Sequence, residues 1–226
     1  MQLYIGNKNY SSWSLRPWLL MTEVGIPFEE VRVRFDSFDA GSAFKTEILQ
    51  HNPTGRVPVL VDDNFAVWDT LAIAEYLAER FPDKHLWPAD RLCRARARSV
   101  CAEMHSGFGA LRTHFGMNIE AHLPDVGRRV LAEQPAARQD LARIVAMWSG
   151  LLADSGGPLL FGQFTIADAY FAPVVSRITT YGLPVPPRVA AWVEQIFAAP
   201  GVAAWVSDAL AERDFLDFEE MYRTAR

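Results

Sequence analysis

The sequence predicts a small α/β domain followed by an all-helical domain. Three observations carry this. Strand and helix patterns alternate in the order βαβ–ββα over the first eighty residues, a two-proline stretch then interrupts the chain, and every periodic segment beyond it repeats at helical spacing. The expected division is 1–81, a linker at 82–88 running through Pro82 and Pro88, and 89–226. The charge inventory shifts at the same place. All three lysines lie before residue 87, whereas fourteen arginines and no lysine follow it.

Leu3-Tyr4-Ile5 is a short apolar strand, and the polar stretch from Gly6 to Ser12 is a loop. The pattern over 15–24 predicts a helix in which Pro17 is tolerable only in the first turn. Val31, Val33 and Phe35 alternate with Arg32 and Arg34, the period of a half-exposed strand. Strand, helix, strand favours a right-handed crossover and parallel pairing. Two apolar runs, 57–61 and 65–68, flank Asp62-Asp63-Asn64 and read as a hairpin. Leu71, Ala74, Leu77 and Ala78 mark one face of a helix over 70–80. The remainder predicts helices over 92–115, 126–133, 136–152, 166–181, 188–198 and 202–212. Thr165 and Asp168 open the fourth of these as a capping box.

Composition narrows the function. Half of the residues are hydrophobic and 22% are charged, enough to bury a core and too apolar for disorder. A net charge of −5 argues against a general nucleic-acid binder. Cys93 and Cys101 are too few for a disulfide framework and read as reduced thiols, which places the protein in the cytoplasm. No signal peptide and no apolar run of membrane-spanning length is expected. The five histidines lack ligand spacing and there is no Cys-x-x-Cys, so no metal is expected.

A βαβ–ββα domain, a linker and a helical domain together resemble the cytosolic glutathione transferases. Asn52-Pro53-Thr54-Gly55-Arg56-Val57-Pro58 ahead of a strand, Asp69-Thr70 opening a helix, and the Thr165–Asp168 box all carry the resemblance, and they occur in the family's order. It covers nearly the whole chain. It implies a thioredoxin-like N-terminal domain that binds glutathione as co-substrate and an all-α domain that completes a pocket for an electrophile. Ser11-Ser12-Trp13-Ser14 is most similar to the serine-type, zeta-like branch, except that Trp13, expected against glutathione, stands where that branch carries cysteine. The substitution removes a cysteine nucleophile and counts against isomerisation of maleylacetoacetate.

Glutathione carries two carboxylates, an amine and a thiol, and its thiolate is the nucleophile. Ser11 and Ser12, just ahead of a helix, suit the sulfur, because a hydroxyl donor and the positive helix end both favour the anion. The zeta pattern puts Ser11 first, with Ser12 close behind. The family's cis proline at Pro58 implies that Val57 offers its amide and carbonyl to the cysteinyl backbone. Asp69 and the amide and hydroxyl of Thr70 suit the γ-glutamyl end, with Asp one carbon shorter than the family's usual Glu or Gln. Lys45, in a segment expected to be mobile, and Arg56 are the candidate cations for the glycine carboxylate.

The resemblance also implies a second-substrate pocket between the domains. Its candidate lining is His105, Phe108, Leu111, Arg112 and Phe115, with Phe215, Phe218 and Tyr222 from the tail. Arg91, Arg94, Arg96 and Arg98 form a basic cluster on a helix that, in the family, joins a two-fold dimer. The expectation is a cytoplasmic homodimeric transferase with glutathione and a small electrophile as partners, and with neither nucleic acid nor membrane. A glutathione-dependent isomerase and a non-catalytic carrier of the same fold are the alternatives.

Overall fold

The computed structural model describes residues 1–226. Its first part contains β1 (Gln2–Ile5), α1 (Ser12–Glu23), β2 (Glu29–Arg32), α2 (Ala43–Ile48), β3 (Val59–Asp62), β4 (Phe65–Trp68) and α3 (Thr70–Arg80). The sheet order is β2-β1-β3-β4. β1 pairs parallel with β2, Tyr4 opposite Val31, and antiparallel with β3, Leu3 opposite Leu60, while β3 and β4 close the hairpin. This is the expected βαβ–ββα order with one helix added. Ser42 caps α2 by accepting from the Lys45 amide, and Asp36 accepts from the amides of Ala43 and Phe44, so the segment expected to be mobile is a capped helix.

The second part is entirely helical: α4 (Arg91–Ser106), α5 (Gly109–His114), α6 (Pro124–Glu133), α7 (Pro135–Ser155), α8 (Ile166–Tyr181), α9 (Pro187–Phe197) and α10 (Pro200–Glu212). Four of them begin on proline, which loses no hydrogen bond in a first turn. No single helix is long and apolar enough to cross a membrane.

Three expectations shift. α1 starts at Ser12, because the Leu15 amide reaches the Ser11 carbonyl, and Pro17 therefore falls beyond the first turn. The strand expected through Phe35 ends at Arg32. The Phe35 amide instead bonds Asn7 Oδ1, and its ring lies over Gly6, where a Cβ would sit 2.1 Å from the ring. The helix expected over 92–115 breaks at Gly107-Phe108, where Phe108 adopts φ +54° and α5 starts in a new direction.

The segment between α3 and α4 is packed rather than loose. Leu86 and Trp87 are buried, and the Ile166 amide bonds the Leu86 carbonyl. One large core spans both parts, with Leu15 and Leu19 of α1 in the same cluster as Trp148, Tyr170 and Phe171. A smaller cluster on the other sheet face holds Tyr4, Tyr10, Phe35, Phe44, Ile48, Val59 and Leu216. The capping box is formed: Thr165 Oγ1 accepts from the Ala167 amide, and Asp168 Oδ2 accepts from the Thr165 amide at 3.0 Å. Asp168 Oδ1 also accepts from the Leu160 amide and from Trp192 Nε1.

Candidate functional site

The loop before α1 is short and polar, and the rest of the chain fixes every part of it. Asn7 Nδ2 donates to Asp214 at 2.7 Å, and Lys8 Nζ pairs with Asp208 and Glu30. Trp205 Nε1 donates to the Lys8 carbonyl, Asn9 Oδ1 accepts from the Glu120 amide, and Tyr10 Oη donates to Glu220 at 2.8 Å. This clamping delivers the serine pair to the start of α1. Ser11 is buried, with its Oγ 2.7 Å from Ser14 Oγ, which also accepts from the Gly6 amide. Ser12 is half-buried, and its amide bonds the Tyr10 carbonyl.

Opposite the loop, the Val57–Pro58 bond is cis. The amide and carbonyl of Val57 bond nothing within the chain, because β3 begins two residues later. The turn before it is held by Asn52, whose Nδ2 donates to the Arg56 carbonyl and whose Oδ1 accepts from the Thr54 amide. Gly55 has φ +60°, and a Cβ there would crowd the Lys45 side chain, whose Nζ donates to the Gly55 carbonyl at 2.6 Å. Arg56 is exposed and pairs with no carboxylate.

Asp69 occupies the tight corner between β4 and α3 with φ +70°, a region disfavoured for a residue with a Cβ. Its Oδ1 caps α3 through the Leu71 amide, and its Oδ2 lies 3.3 Å from His105 Nε2. His105 Nδ1 is 2.9 Å from Tyr170 Oη, which is 2.7 Å from Thr70 Oγ1. Burial pushes the Tyr170 phenol up to about 12, so it stays a neutral donor and acceptor. The Thr70 hydroxyl, expected free for a ligand, is buried in this network, and its amide is the group left at the start of the helix.

These residues line two adjoining cavities that share Trp13, Arg56 and Val57. The first, about 370 Å³, also holds Pro58, Asp69, Thr70, His105 and Arg112. The second, about 460 Å³, holds Ser11, Ser12 and Lys45 with Tyr10, Phe35, Phe38, Phe44, Gly55 and Glu219. Both are in the size range of ligand clefts, roughly 300–1,000 Å³. All nine residues expected around glutathione are therefore brought to one cleft.

The second-substrate residues divide. His105 and Arg112 reach the cleft, but on the side of Asp69 and Thr70 rather than of the serines. Trp13 stacks on the Arg16 guanidinium at 3.9 Å and lies 5.6 Å from that of Arg112. Arg112 Nε is buried without a partner. Phe108, Leu111 and Phe115 do not reach the cleft. The break at Gly107 turns them into the core, where the Phe115 ring packs against Tyr181. In the tail, Tyr222 Oη donates to the His114 carbonyl, and Phe215 lies beneath Arg223. Phe218 meets the cleft only through Phe38, at 5.3 Å. The walls of the serine-side cavity are instead Phe35, Phe38 and Phe44. Sequence reasoning missed these, along with Tyr10, Tyr170 and Glu219. Tyr10 was signalled only by its place before the serine pair, and Glu219 by nothing local. No group of three or more His, Cys, Asp or Glu side chains is placed to hold a metal ion.

Comparison with known proteins agrees with this architecture. The glutathione S-transferase N-terminal domain matches residues 10–80, and the glutathione S-transferase C-terminal domain matches residues 94–195. Glutathione S-transferase 1 of Dianthus caryophyllus is 30% identical over 186 residues, covering 81% of this chain and 80% of that one. A stringent starvation protein A homolog of Haemophilus ducreyi is 24% identical over 183 residues, covering 81% and 77%. A glutathione transferase homolog from Burkholderia, solved with bound glutathione, superposes with a TM-score of 0.69 at 30% identity, covering 93% of this chain and 98% of that one. With both domain models matched and relatives at this level spanning most of its length, the chain belongs to the glutathione S-transferase family.

Proposed function

We propose that the protein is a serine-type glutathione transferase that binds the tripeptide across both cavities and adds its thiolate to a small apolar electrophile. One observation carries the reading. The donors and acceptors for both ends of glutathione and for its sulfur line two adjoining cavities that share Trp13, Arg56 and Val57. Residues 1–81 are read as the glutathione-binding unit, and 89–226 as the unit that completes the pocket. The γ-glutamyl ammonium faces Asp69, and its carboxylate faces the Thr70 amide. Val57 pairs with the cysteinyl backbone as an added strand residue. Lys45 and Arg56 hold the glycine carboxylate.

Sulfur activation follows from hydroxyl geometry. A hydroxyl has one proton that rotates and two lone pairs. Ser11 Oγ donates to Ser14 Oγ at 2.7 Å, and rotation about its C–O bond turns that one proton from Ser14 to the sulfur as the thiol ionises. The Gly6 amide, which also donates to Ser14 Oγ, keeps that oxygen paired when the Ser11 proton turns away. A charge-assisted hydrogen bond of roughly 1.5–3 kcal/mol lowers a thiol pKa by about one to two units. Ser12, with a hydroxyl unpaired in the chain and a place in the first turn of α1, supports Ser11 as a second donor.

The working form is read as a cytoplasmic homodimer that serves detoxification. Exposed Phe65 and Trp68 on the edge strand β4 and Leu92 on α4 support association. Within the basic cluster, Arg94 bonds carbonyls of its own chain and Arg98 bonds Glu75, leaving Arg91 and Arg96 for a partner. Free Cys93 and Cys101 support a reducing compartment.

The test is the ionisation of bound glutathione, followed by thiolate absorbance, beside turnover of a chloronitroarene. Ser11→Ala is expected to raise the bound thiol pKa by about one unit and to lower turnover about tenfold at neutral pH. An unshifted pKa removes Ser11 from the mechanism and passes the role to Ser12. Retention on immobilised glutathione with no turnover of any electrophile favours the carrier reading.

A further inference from the structure

After α10 the chain folds back across the loop before α1. The amides of Glu219 and Glu220 both bond the Leu216 carbonyl. Leu216 itself is buried against Tyr10, Phe35 and Phe44, with its amide on Tyr10 Oη. This turn holds two adjacent carboxylates in opposite roles. Glu220 accepts from Tyr10, Asn118 and Arg223. Glu219 accepts from nothing in the chain and lines the serine-side cavity with Ser11, Ser12 and Trp13.

The other ionisable groups of that cavity come from three separate segments. Tyr10, from the loop, is committed to Glu220, and Lys45, from α2, donates to the Gly55 carbonyl. Arg56, before β3, forms no ion pair with Glu219. On its own turn, Glu219 faces the like charge of Glu220. Burial first, and Glu220 second, raise the Glu219 carboxyl to about 7. Glu219, an acid with a removable proton, therefore shares one cavity with the sulfur-activating hydroxyls and a wall of three phenylalanines.

We propose that Glu219 is the proton donor for electrophiles that become anionic as sulfur adds, namely α,β-unsaturated carbonyl compounds. The assignment rests on the cleft being a glutathione site. In the step, a sulfur lone pair forms the C–S bond at the β-carbon, and the C=C pair moves to give an enolate. The Glu219 O–H bond then breaks to deliver its proton to that enolate. Water reprotonates the carboxylate, which balances the proton released when the thiol ionised. With an aryl halide, chloride departs as the anion and no proton is needed.

The experiment compares the two electrophile classes on the full-length protein. Wild type, Glu219→Gln and Glu219→Asp are assayed between pH 5.5 and 8.5 with an aryl enone and with a chloronitroarene. Glu219→Gln is expected to lower enone kcat about 10²-fold, the usual contribution of a positioned acid. It also abolishes the fall of the enone rate above about pH 7. An unchanged thermal transition and retention on immobilised glutathione show that the variant is folded and binds the tripeptide, chloronitroarene turnover falls at least about tenfold less than enone turnover, and Glu219→Asp recovers part of the enone rate. Unchanged enone kinetics in Glu219→Gln, or an equal fall with both electrophiles, overturns the assignment. Absence of turnover of either electrophile by the wild type refutes the glutathione reading, and the assignment falls with it.

Discussion

The two halves of the chain meet along two seams built from different materials. Along the first, α1 packs on α8 and nearly everything is apolar or neutral. The exception is Arg16, buried with its Nε on the Tyr170 carbonyl and its guanidinium stacked on Trp13 and Tyr170. Burial lowers its pKa only to about 10, so it stays charged. Along the second seam, α10 and the tail grip the loop that carries the serines, and the grip is ionic. Lys8 meets Asp208, Arg34 meets Asp214, and Tyr10 and Arg223 meet Glu220. The first seam fixes where the domains sit and the second fixes where the serines point. Position therefore rests on burial, which salt does not screen, and aim rests on charges, which salt and acid do.

The largest expected effect is at the start of α8, the helix that forms the helical domain's side of the first seam. Asp168 is fully buried and serves four donors, so Asp168→Ala strands the amides of Thr165 and Leu160 and the indole of Trp192. Losing a cap and leaving buried donors unpaired costs about 3–4 kcal/mol. In a chain of this length that lowers Tm by roughly 6–16 °C, measured by thermal unfolding. The pH dependence adds a sign. Burial raises Asp168 to about 6 although its donors pull it down, so its contribution is fully present below the ordinary 3.8 and fades as pH rises through about 6. The variant loses that fade.

Glu220 on the second seam behaves in the opposite way. Burial pushes its carboxyl up, but Arg223, Tyr10 and Asn118 all donate to it and together hold it below the ordinary 4.5. Stability from a lowered carboxyl is present above its unfolded pKa and is lost as pH falls through the folded one. Acidification is thus expected to loosen the tail before it loosens the α1–α8 seam. Glu220→Gln keeps the shape, removes the charge and costs about 2 kcal/mol at pH 7. It also flattens the acid limb of stability below about pH 4.5. Because Tyr10 directly precedes Ser11, kcat falls more than KM rises. A loss confined to KM would break the link between the tail and the serines.

The contrast also explains how much of the molecule was legible. The Thr165–Asp168 box is demanded by the backbone within a few residues and could be read directly, whereas Val57-Pro58 and Asp69-Thr70 are equally local but took their meaning from the family resemblance. The order of the elements along the chain followed from local alternation, but the antiparallel pairing of β1 with β3 that joins the two units did not. The break at Phe108 was overlooked because the apolar spacing over 92–115 runs through it unchanged, although Gly107 and Gly109 on either side are the local signal for a helix end. Hence Phe108 and Phe115 were placed in the cleft when they belong to the core. The second seam joins residues more than 200 positions apart, such as Tyr10 and Glu220. Nothing in a tail of mixed charges and aromatics says which acid will meet the tyrosine and which will stay bare. Thr70 illustrates the middle case. Its position at the helix start was legible, but the diversion of its hydroxyl to Tyr170, a hundred residues away, was not.

The smallest effect tests the comparison most directly. Arg34 forms a two-pronged pair with Asp214, Nε to Oδ2 at 2.9 Å and Nη2 to Oδ1 at 3.1 Å, and Asp214 also accepts from Asn7 in the serine loop. Arg34 is 55% exposed, so the pair is screened, and Arg34→Met is expected to cost only about 0.5 kcal/mol. What distinguishes this variant is its response to salt. In urea unfolding the difference from wild type should vanish near 1 M NaCl, where the screening length is about 3 Å, while the deficit of Asp168→Ala persists unchanged. If both deficits shrink together, the second seam is no more electrostatic than the first. If neither does, the Arg34 contribution is packing of its aliphatic stem, and salt has no purchase on the aim of the serine loop through this pair.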